Sequence, residues 1–242
     1  MKLTDFHALT FDCYGTLIDW ESGIWAALQP LIQANDFKIS REAALAAYGT
    51  IEPAQEQETP DLVYRELLVL AHAKIAAAWN LESTPALDKA FGLSIPLWPA
   101  FADSADALAY LKQYYKLGIL SNVDRQSFAG SNLKLGVEFD AICTAEDIGS
   151  YKPDARNFEY LVGEIEKLGL KKADILHTAQ SLYHDHVPAA ALGLARCWIN
   201  RRGDTGTGSG ATKPVTKMPK LNFQFPSMAA MVEAHKTELA AD

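Results

Sequence analysis

The chain has only three cysteines in 242 residues, Cys13, Cys143 and Cys197, and they lie far apart. An odd, sparse set without a close pair argues against a disulfide framework and fits a reducing, cytoplasmic setting. Basic charge is also short: 22 Lys and Arg face 30 Asp and Glu, giving a formal net charge of −8. Phosphate backbones are bound by basic faces, so nucleic acid is not an expected partner. No apolar run approaches the roughly 18 residues needed to span a bilayer, so no membrane is expected either. The N-terminal stretch MKLTDFHALTFD lacks signal-peptide shape, because its apolar part is short and broken by an acid. There is no internal repeat. The glycine-rich stretch RRGDTGTGSGATKP at 201–214 lacks the Gly-Lys-Ser/Thr of a phosphate loop and reads as a flexible surface loop.

Hydrophobic residues make up 49 % of the chain, enough for one good-sized domain, or a domain with a smaller insert. HALTFD at 7–12 reads as a buried strand. The next strand-like run comes much later, KLGILSN at 116–122, followed by AICTA (141–145), DILHTAQ (174–180) and ARCWIN (195–200). Helical segments lie between them. Leu108, Leu111 and Tyr115 are at helical spacing in 106–115, and Phe158, Leu161, Val162 and Ile165 form a stripe in 155–170. Pro188 suits the first turn of a short helix at 188–194. Strands alternating with helices predict a parallel sheet with crossover connections.

Residues 18–97 differ, being almost wholly helix-like. Tyr64, Leu68, Ala71 and Ile75 share a face, and Ser40 and Asp61 are N-cap candidates. The expected fold is therefore α/β: a Rossmann-like parallel-sheet core from 1–17 and 98–242, with a helical cap domain, 18–97, inserted after the first strand. An insert there lies over the carboxyl ends of the strands, where open α/β sheets bind ligands.

Four spots sit at those strand ends. They are Asp12 with Tyr14, Gly15 and Thr16 in LTFDCYGTLIDWE, Ser121-Asn122 in LSNVDR, Lys152 in SYKPD, and Asp185 in QSLYHDHVPA. Singly, each has a plainer reading as a turn cap, a helix cap, a solvated lysine or a helix entry. A parallel sheet gathers them into one crevice with two carboxylates, one ammonium, and hydroxyl and amide donors. That is a nucleophile with electrostatic support.

The four motifs, in this order and with the helical stretch after the first strand, resemble the haloacid dehalogenase superfamily across nearly the whole chain. The Asp-x-Tyr-Gly-Thr form at 12–16, with FDAICTAEDIGSYKPD and YKPDARNF, looks like the 2-haloacid dehalogenase branch. The resemblance implies that Asp12 is a covalent nucleophile. Phosphatases of the superfamily usually carry a second acid two residues on, which protonates the leaving alkoxide. Tyr14, with an ordinary pKa of about 10, is a poor substitute. A halide leaves without a proton, so the missing acid favours displacement at carbon. The implied reaction forms an ester between Asp12 and a short (S)-2-haloacid, which water then hydrolyses. No cofactor and no metal are expected. Lys152 would keep Asp12 ionised, Asp185 would pair with Lys152 and help activate water, and Thr16, Ser121 and Asn122 would orient carboxylates. Tyr14, Trp20 and Phe158 would wall the pocket. A homodimer is also implied, since similar proteins often form one.

Two departures stand out. The position where dehalogenases of this type carry a cap arginine aligns with Tyr48; Arg41, about 10 Å away along the helix, and Arg65 are the nearby alternatives. The residues before Asp185 are Gln180, Ser181, Leu182, Tyr183 and His184 instead of a small polar set. His184, Asp185 and His186 make a poor metal site, and one histidine is expected at the pocket with the other in solvent. Two other readings stay open: a magnesium-dependent small-molecule phosphatase of the same superfamily, and a non-catalytic binding protein on the same fold.

Overall fold

A computed structural model describes residues 1–203 and 215–241. Most of the stretch read as a surface loop, 204–214, lies outside the described residues. In chain order the elements are β1 (Ala8–Phe11), α1 (Trp20–Ala34), α2 (Arg41–Glu58), α3 (Tyr64–Ala78), α4 (Pro85–Gly92), α5 (Ser104–Leu111) and β2 (Lys116–Ser121). Then come α6 (Arg125–Leu135), β3 (Ala141–Thr144), α7 (Ala145–Ile148), α8 (Ala155–Glu166), β4 (Ile175–Ala179), a π-helical turn (Leu182–His186) and α9 (Val187–Ala191). β5 (Ala195–Ile199), β6 (Phe223–Phe225) and α10 (Met228–Ala241) complete the described chain.

Among the described residues the strands form one parallel sheet in the order β3-β2-β1-β4-β5-β6. β1 is central, and all four of its residues are buried, which is why ALTF reads as a continuous apolar run with no alternation. Burying a side chain such as Leu9 or Phe11 contributes roughly 2 kcal/mol. α8 packs Phe158, Leu161 and Ile165 into the core beside β2 and β3, as its stripe predicts. The chain runs outward from β1 through β2 and β3, then returns to β4 on the other side. This reversal brings the carboxyl ends of β1, β2 and β4 to a common crevice.

The helical stretch forms α1 to α4 between β1 and β2, and its apolar residues Ile24, Leu28, Tyr48 and Leu67 join the same core as Leu9, Phe11 and Leu117 of the sheet. Its two connections run side by side, with Ile18 bridging Ala100 and the Asp19 N–H donating to the Pro99 carbonyl at 2.8 Å. Ser40 caps α2 as expected, accepting from the Ala43 N–H. Asp61 does not cap α3, which begins three residues later. Its first-turn donors turn inward instead: the Arg65 N–H and Nη1 both reach Asp124, at 3.3 and 2.8 Å. Asp124 is fully buried and also caps α6 through Ser127. It therefore ties the helical insert to the loop after β2.

Other expectations shift. The helix expected over 106–115 ends at Leu111, and that expected to 170 ends at Glu166. Residues 182–186 form a π-helical turn that leads directly into α9.

Candidate active site

β1 ends at Phe11, and the Asp12 N–H still bonds across to the Thr178 carbonyl at 3.1 Å, so the nucleophile candidate stands at the sheet's edge on fixed backbone. The chain then folds back tightly. Leu17 and Ile18 both donate to the Cys13 carbonyl, at 2.8 and 2.9 Å. Gly15 sits at φ +98°, which suits glycine, and a Cβ there would come within 3.0 Å of the Trp20 indole nitrogen. This turn aims Thr16 back at its neighbour. The Thr16 hydroxyl donates to Asp12 Oδ2 at 2.7 Å and accepts from the Gln180 N–H at 2.9 Å.

Lys152 is nearly fully buried, and its ammonium makes three hydrogen bonds: Asp185 Oδ1 at 2.7 Å, Asp12 Oδ1 at 2.9 Å and the Leu120 carbonyl at 3.0 Å. Asn122 sets the backbone of that loop, its Oδ1 accepting from the Lys152 N–H and its Nδ2 donating to the Lys152 carbonyl. Below Asp185 lies His177, whose Nε2 is 3.1 Å from Asp185 Oδ1 and whose Nδ1 is 3.0 Å from the Thr10 hydroxyl. The sheet register makes this contact, because Thr10 and His177 are paired neighbours on β1 and β4.

Two buried carboxylates share one ammonium, and the shifts follow. Burial and the two negative neighbours act in opposite senses on Lys152; Asp12 and Asp185 win, and its pKa rises. Asp185 resists the raising effect of burial because Lys152 and His177 both stabilise its charge, and it ends well below the usual carboxylate range. Asp12 is pushed up, chiefly by burial and also by Asp185, against the pull of Lys152 and Thr16. A carboxylate of raised basicity on a fixed backbone suits nucleophilic attack.

These groups form the floor of a cavity of about 650 Å³, counting its open mouth. The Ser121 hydroxyl and Asp185 Oδ2 are both buried and have no hydrogen-bond partner among the described residues. The roof comes from the insert: Trp20, Glu52, Pro53, Glu56 and Tyr64. Tyr14, Trp98, Gln180, Ser181 and His184 line the sides.

A family model described as haloacid dehalogenase-like hydrolase matches residues 6–178, a span containing Asp12, Ser121 and Lys152. The chain belongs to the haloacid dehalogenase-like hydrolase family. An (S)-2-haloacid dehalogenase of Pseudomonas putida is 27 % identical over 215 residues, covering 83 % of this chain and 87 % of the relative. (S)-2-haloacid dehalogenase 4A of Burkholderia cepacia is 25 % identical over 205 residues, 81 % and 84 % of the two chains. The L-2-haloacid dehalogenase of Xanthobacter autotrophicus with chloropropionic acid covalently bound superposes with a TM-score of 0.76 at 17 % identity, over 96 % of this chain and 98 % of that one. YfnB from Bacillus subtilis bound to magnesium superposes with a TM-score of 0.75 at 18 % identity, over 96 % and 99 %. These two likenesses show the shared fold.

Within this haloacid dehalogenase-like fold, Asp12, Lys152, Asp185, Ser121, Asn122 and Thr16 converge, and Tyr14, Trp20 and His184 line the same cavity. Other expected residues lie elsewhere. Phe158 does not wall the cavity; it is on the buried stripe of α8, packed edge-on against His177 at 5.2 Å. Arg41 is also outside the lining and bonds to Ser22 on α1 at 3.3 Å. Tyr48 sits one layer behind the wall, its hydroxyl 3.0 Å from that of Tyr64. Arg65 is committed to Asp124. His186 does not face solvent; it is buried, donates from Nε2 to the Ala179 carbonyl at 2.9 Å, and burial lowers its pKa to about 4. The π-helical coil explains this, because it sets His186 nearly half a turn from His184, so that His184 lines the cavity and His186 turns into the interior. The sequence reading missed Glu52, Glu56, Tyr64, Trp98 and His177. Two glutamates four apart on an otherwise alanine-rich helix were the available signal for the first pair.

Proposed function

We propose that the protein is a hydrolase that displaces halide from a short (S)-2-haloacid through a covalent ester on Asp12, with residues 18–97 acting as a cap over the site. The observation that carries this is the ammonium of Lys152 held between Asp12 and Asp185 on the floor of a walled cavity. The curated relatives named as (S)-2-haloacid dehalogenases, matched over more than four fifths of this chain, support the choice of substrate.

Asp12 attacks the halogen-bearing carbon and the halide leaves with the bonding pair. Lys152 and Thr16 hold the attacking carboxylate in line. Tyr14 is turned away from proton transfer: its hydroxyl is 2.9 Å from Ser131, and burial holds its pKa well above the ordinary value. Water then attacks the Asp12 carboxyl carbon, and the bond from that carbon to the substrate oxygen breaks. The hydroxy acid leaves with one of the water's protons, and the other is released to solvent. Asp185 Oδ2 has no other partner among the described residues and accepts a hydrogen bond from that water. With its pKa held low, Asp185 aligns the water more than it takes its proton. The Ser121 hydroxyl is free to hold the substrate carboxylate.

A divalent ion fits these residues poorly. The Lys152 ammonium already sits between the two carboxylates, Asp12 and Asp185, that would hold it. Among the described residues no group of three His, Cys, Asp or Glu is arranged to hold a metal.

The test is chloride release from (S)-2-chloropropionate, followed by one turnover on excess enzyme in heavy-oxygen water. The ester route puts the label into Asp12 and none into the first hydroxy acid, and Asp12→Asn abolishes release. Label appearing at once in the product would mean that water attacks the substrate directly, and the ester would be rejected.

A further inference from the structure

The roof carries an acid that the displacement of halide does not use. Glu52 and Glu56 lie four residues apart on α2 and face the same cavity as Asp12. Both are nine-tenths buried or more. Glu56 Oε1 is 3.2 Å from Asn122 Nδ2, the amide that also fixes the Lys152 backbone, so Glu56 is anchored to the nucleophile's own loop system. Glu52 accepts from the Tyr64 hydroxyl at 2.8 Å. Since Tyr64 gives its only proton to Glu52, the Tyr48 hydroxyl, 3.0 Å away, donates to Tyr64. The result is a directed chain from Tyr48 through Tyr64 to Glu52, with Glu56 in contact with Glu52.

Two carboxyls in that position cannot both ionise at modest cost, so at least one is an O–H donor. Among the described lining residues the only cation is Lys152, and two carboxylates already flank it. Four aromatic rings, Tyr14, Trp20, Tyr64 and Trp98, make up much of the rest. A nucleophilic carboxylate, a carboxylic acid in the same cavity and aromatic walls without a guanidinium suit a small neutral electrophile whose leaving atom needs a proton. The Ser121 hydroxyl, buried and unpartnered in the same lining, is a further polar group without an internal partner there.

We propose that Glu56, backed by Glu52, donates a proton to the leaving atom, and that the protein opens small neutral epoxides to diols. This rests on Asp12 acting as nucleophile. Asp12 attacks a ring carbon; the carbon–oxygen bond breaks, and the ring oxygen takes the proton from the Glu56 carboxyl. The product is a hydroxyalkyl ester on Asp12. Water adds to the Asp12 carboxyl carbon, the second alcohol oxygen leaves with one proton, and the other returns to Glu56. One epoxide and one water give one diol, with no oxidant, reductant or metal.

The protonation that this needs is supplied by the surroundings. Burial and the adjacent Glu52 raise Glu56 well above the ordinary range, against Asn122 and Lys152; burial raises Glu52 to about 7, against Tyr64 and Glu56. Tyr48, Tyr64 and Tyr151, the phenols nearest the pair, are themselves raised and stay protonated.

The experiment compares 1,2-epoxybutane and (S)-2-chloropropionate as substrates for the full-length protein between pH 5.5 and 9. Diol should form fastest at low pH and fall toward tenfold per pH unit once Glu56 loses its proton. Glu56→Gln should lower diol formation at least a hundredfold at pH 6, and any remainder should no longer decline with rising pH, a change that loss of packing alone would not produce. Chloride release without diol from the wild-type protein overturns the proposal and leaves the haloacid reading intact. A diol rate with the same size and pH profile in Glu56→Gln as in the wild type also overturns it. Diol formation that survives Asp12→Asn overturns both readings together.

Discussion

On the strand side of the cavity each charge is matched: the ammonium of Lys152 has two carboxylates and a carbonyl, and each carboxylate has further donors from Thr16 or His177. On the helix side two glutamates meet two tyrosine hydroxyls, an amide and each other, with no cation in direct contact. The strand side is held by opposite charges, which are strongest when ionised. The helix side is held by protons, and loses cohesion when they leave. One cavity thus joins a wall held by opposite charges to a wall that titrates near neutrality.

Removing Lys152 should break this contrast most severely. Lys152→Met leaves two carboxylates facing each other in a buried site, so turnover should drop about a thousandfold. Asp12 is reactive when deprotonated, and losing the ammonium raises its already elevated pKa. The acid limb of the rate profile should therefore move to higher pH, as halide release between pH 5 and 9 would show. An unmoved limb would mean that Lys152 does not control the charge on Asp12.

Glu52→Gln sharpens the comparison from the other wall. Glu52 takes up its proton at about pH 7 when folded and near 4.5 when unfolded. Its stabilising effect is therefore complete below pH 4.5 and is lost as pH rises through 7, amounting to roughly 3 kcal/mol at most. The wild-type melting temperature should fall between pH 5 and 8, and the variant should show a smaller fall. Equal falls would show that the helix side does not titrate in this range.

The smallest effect is expected at Gly23. A Cβ there would lie 2.2 Å from the Trp98 ring, which lines the cavity and bonds to Ser94 at 3.1 Å. Gly23→Ala should cost about 1–3 kcal/mol, read as a lower melting temperature at any pH. If stability is unchanged, Trp98 can shift freely and the side wall is softer than its packing indicates.

The strand side was the legible part. Asp12 and Asn122 directly follow β1 and β2, while Lys152 and Asp185 come eight and six residues after β3 and β4, and a parallel sheet leaves little choice about where those strand ends lead. His177 escaped notice because it lies within a strand, and only the lateral register with Thr10 gives it a role. On the helix side, sequence places Glu52 and Glu56 on one face of α2, but only tertiary packing decides whether that face meets water or the cavity. Arg41 and Tyr48 share that helix and took other positions, Arg41 beside Ser22 and Tyr48 behind Tyr64. Phe158 was legible as core from its own stripe, and the pocket role came from resemblance alone. β6 is three residues long and only partly buried, too short for its apolar pattern to register. The polar sequence of α6 hides a helix held by the Asp124 cap and the buried residues Phe128 and Leu135.

Asp124 has a consequence for how molecules enter and leave. Its carboxylate grips the start of α3 while sitting inside the sheet unit, so swinging the helices outward would strand a buried negative charge, at about 3 kcal/mol or more. A neighbouring hollow bounded by Gln57, Asp61, Ser150 and Arg156 shares Glu56, Lys152 and His184 with the reaction chamber. A solute crossing at those shared residues would leave the Arg65–Asp124 clamp closed.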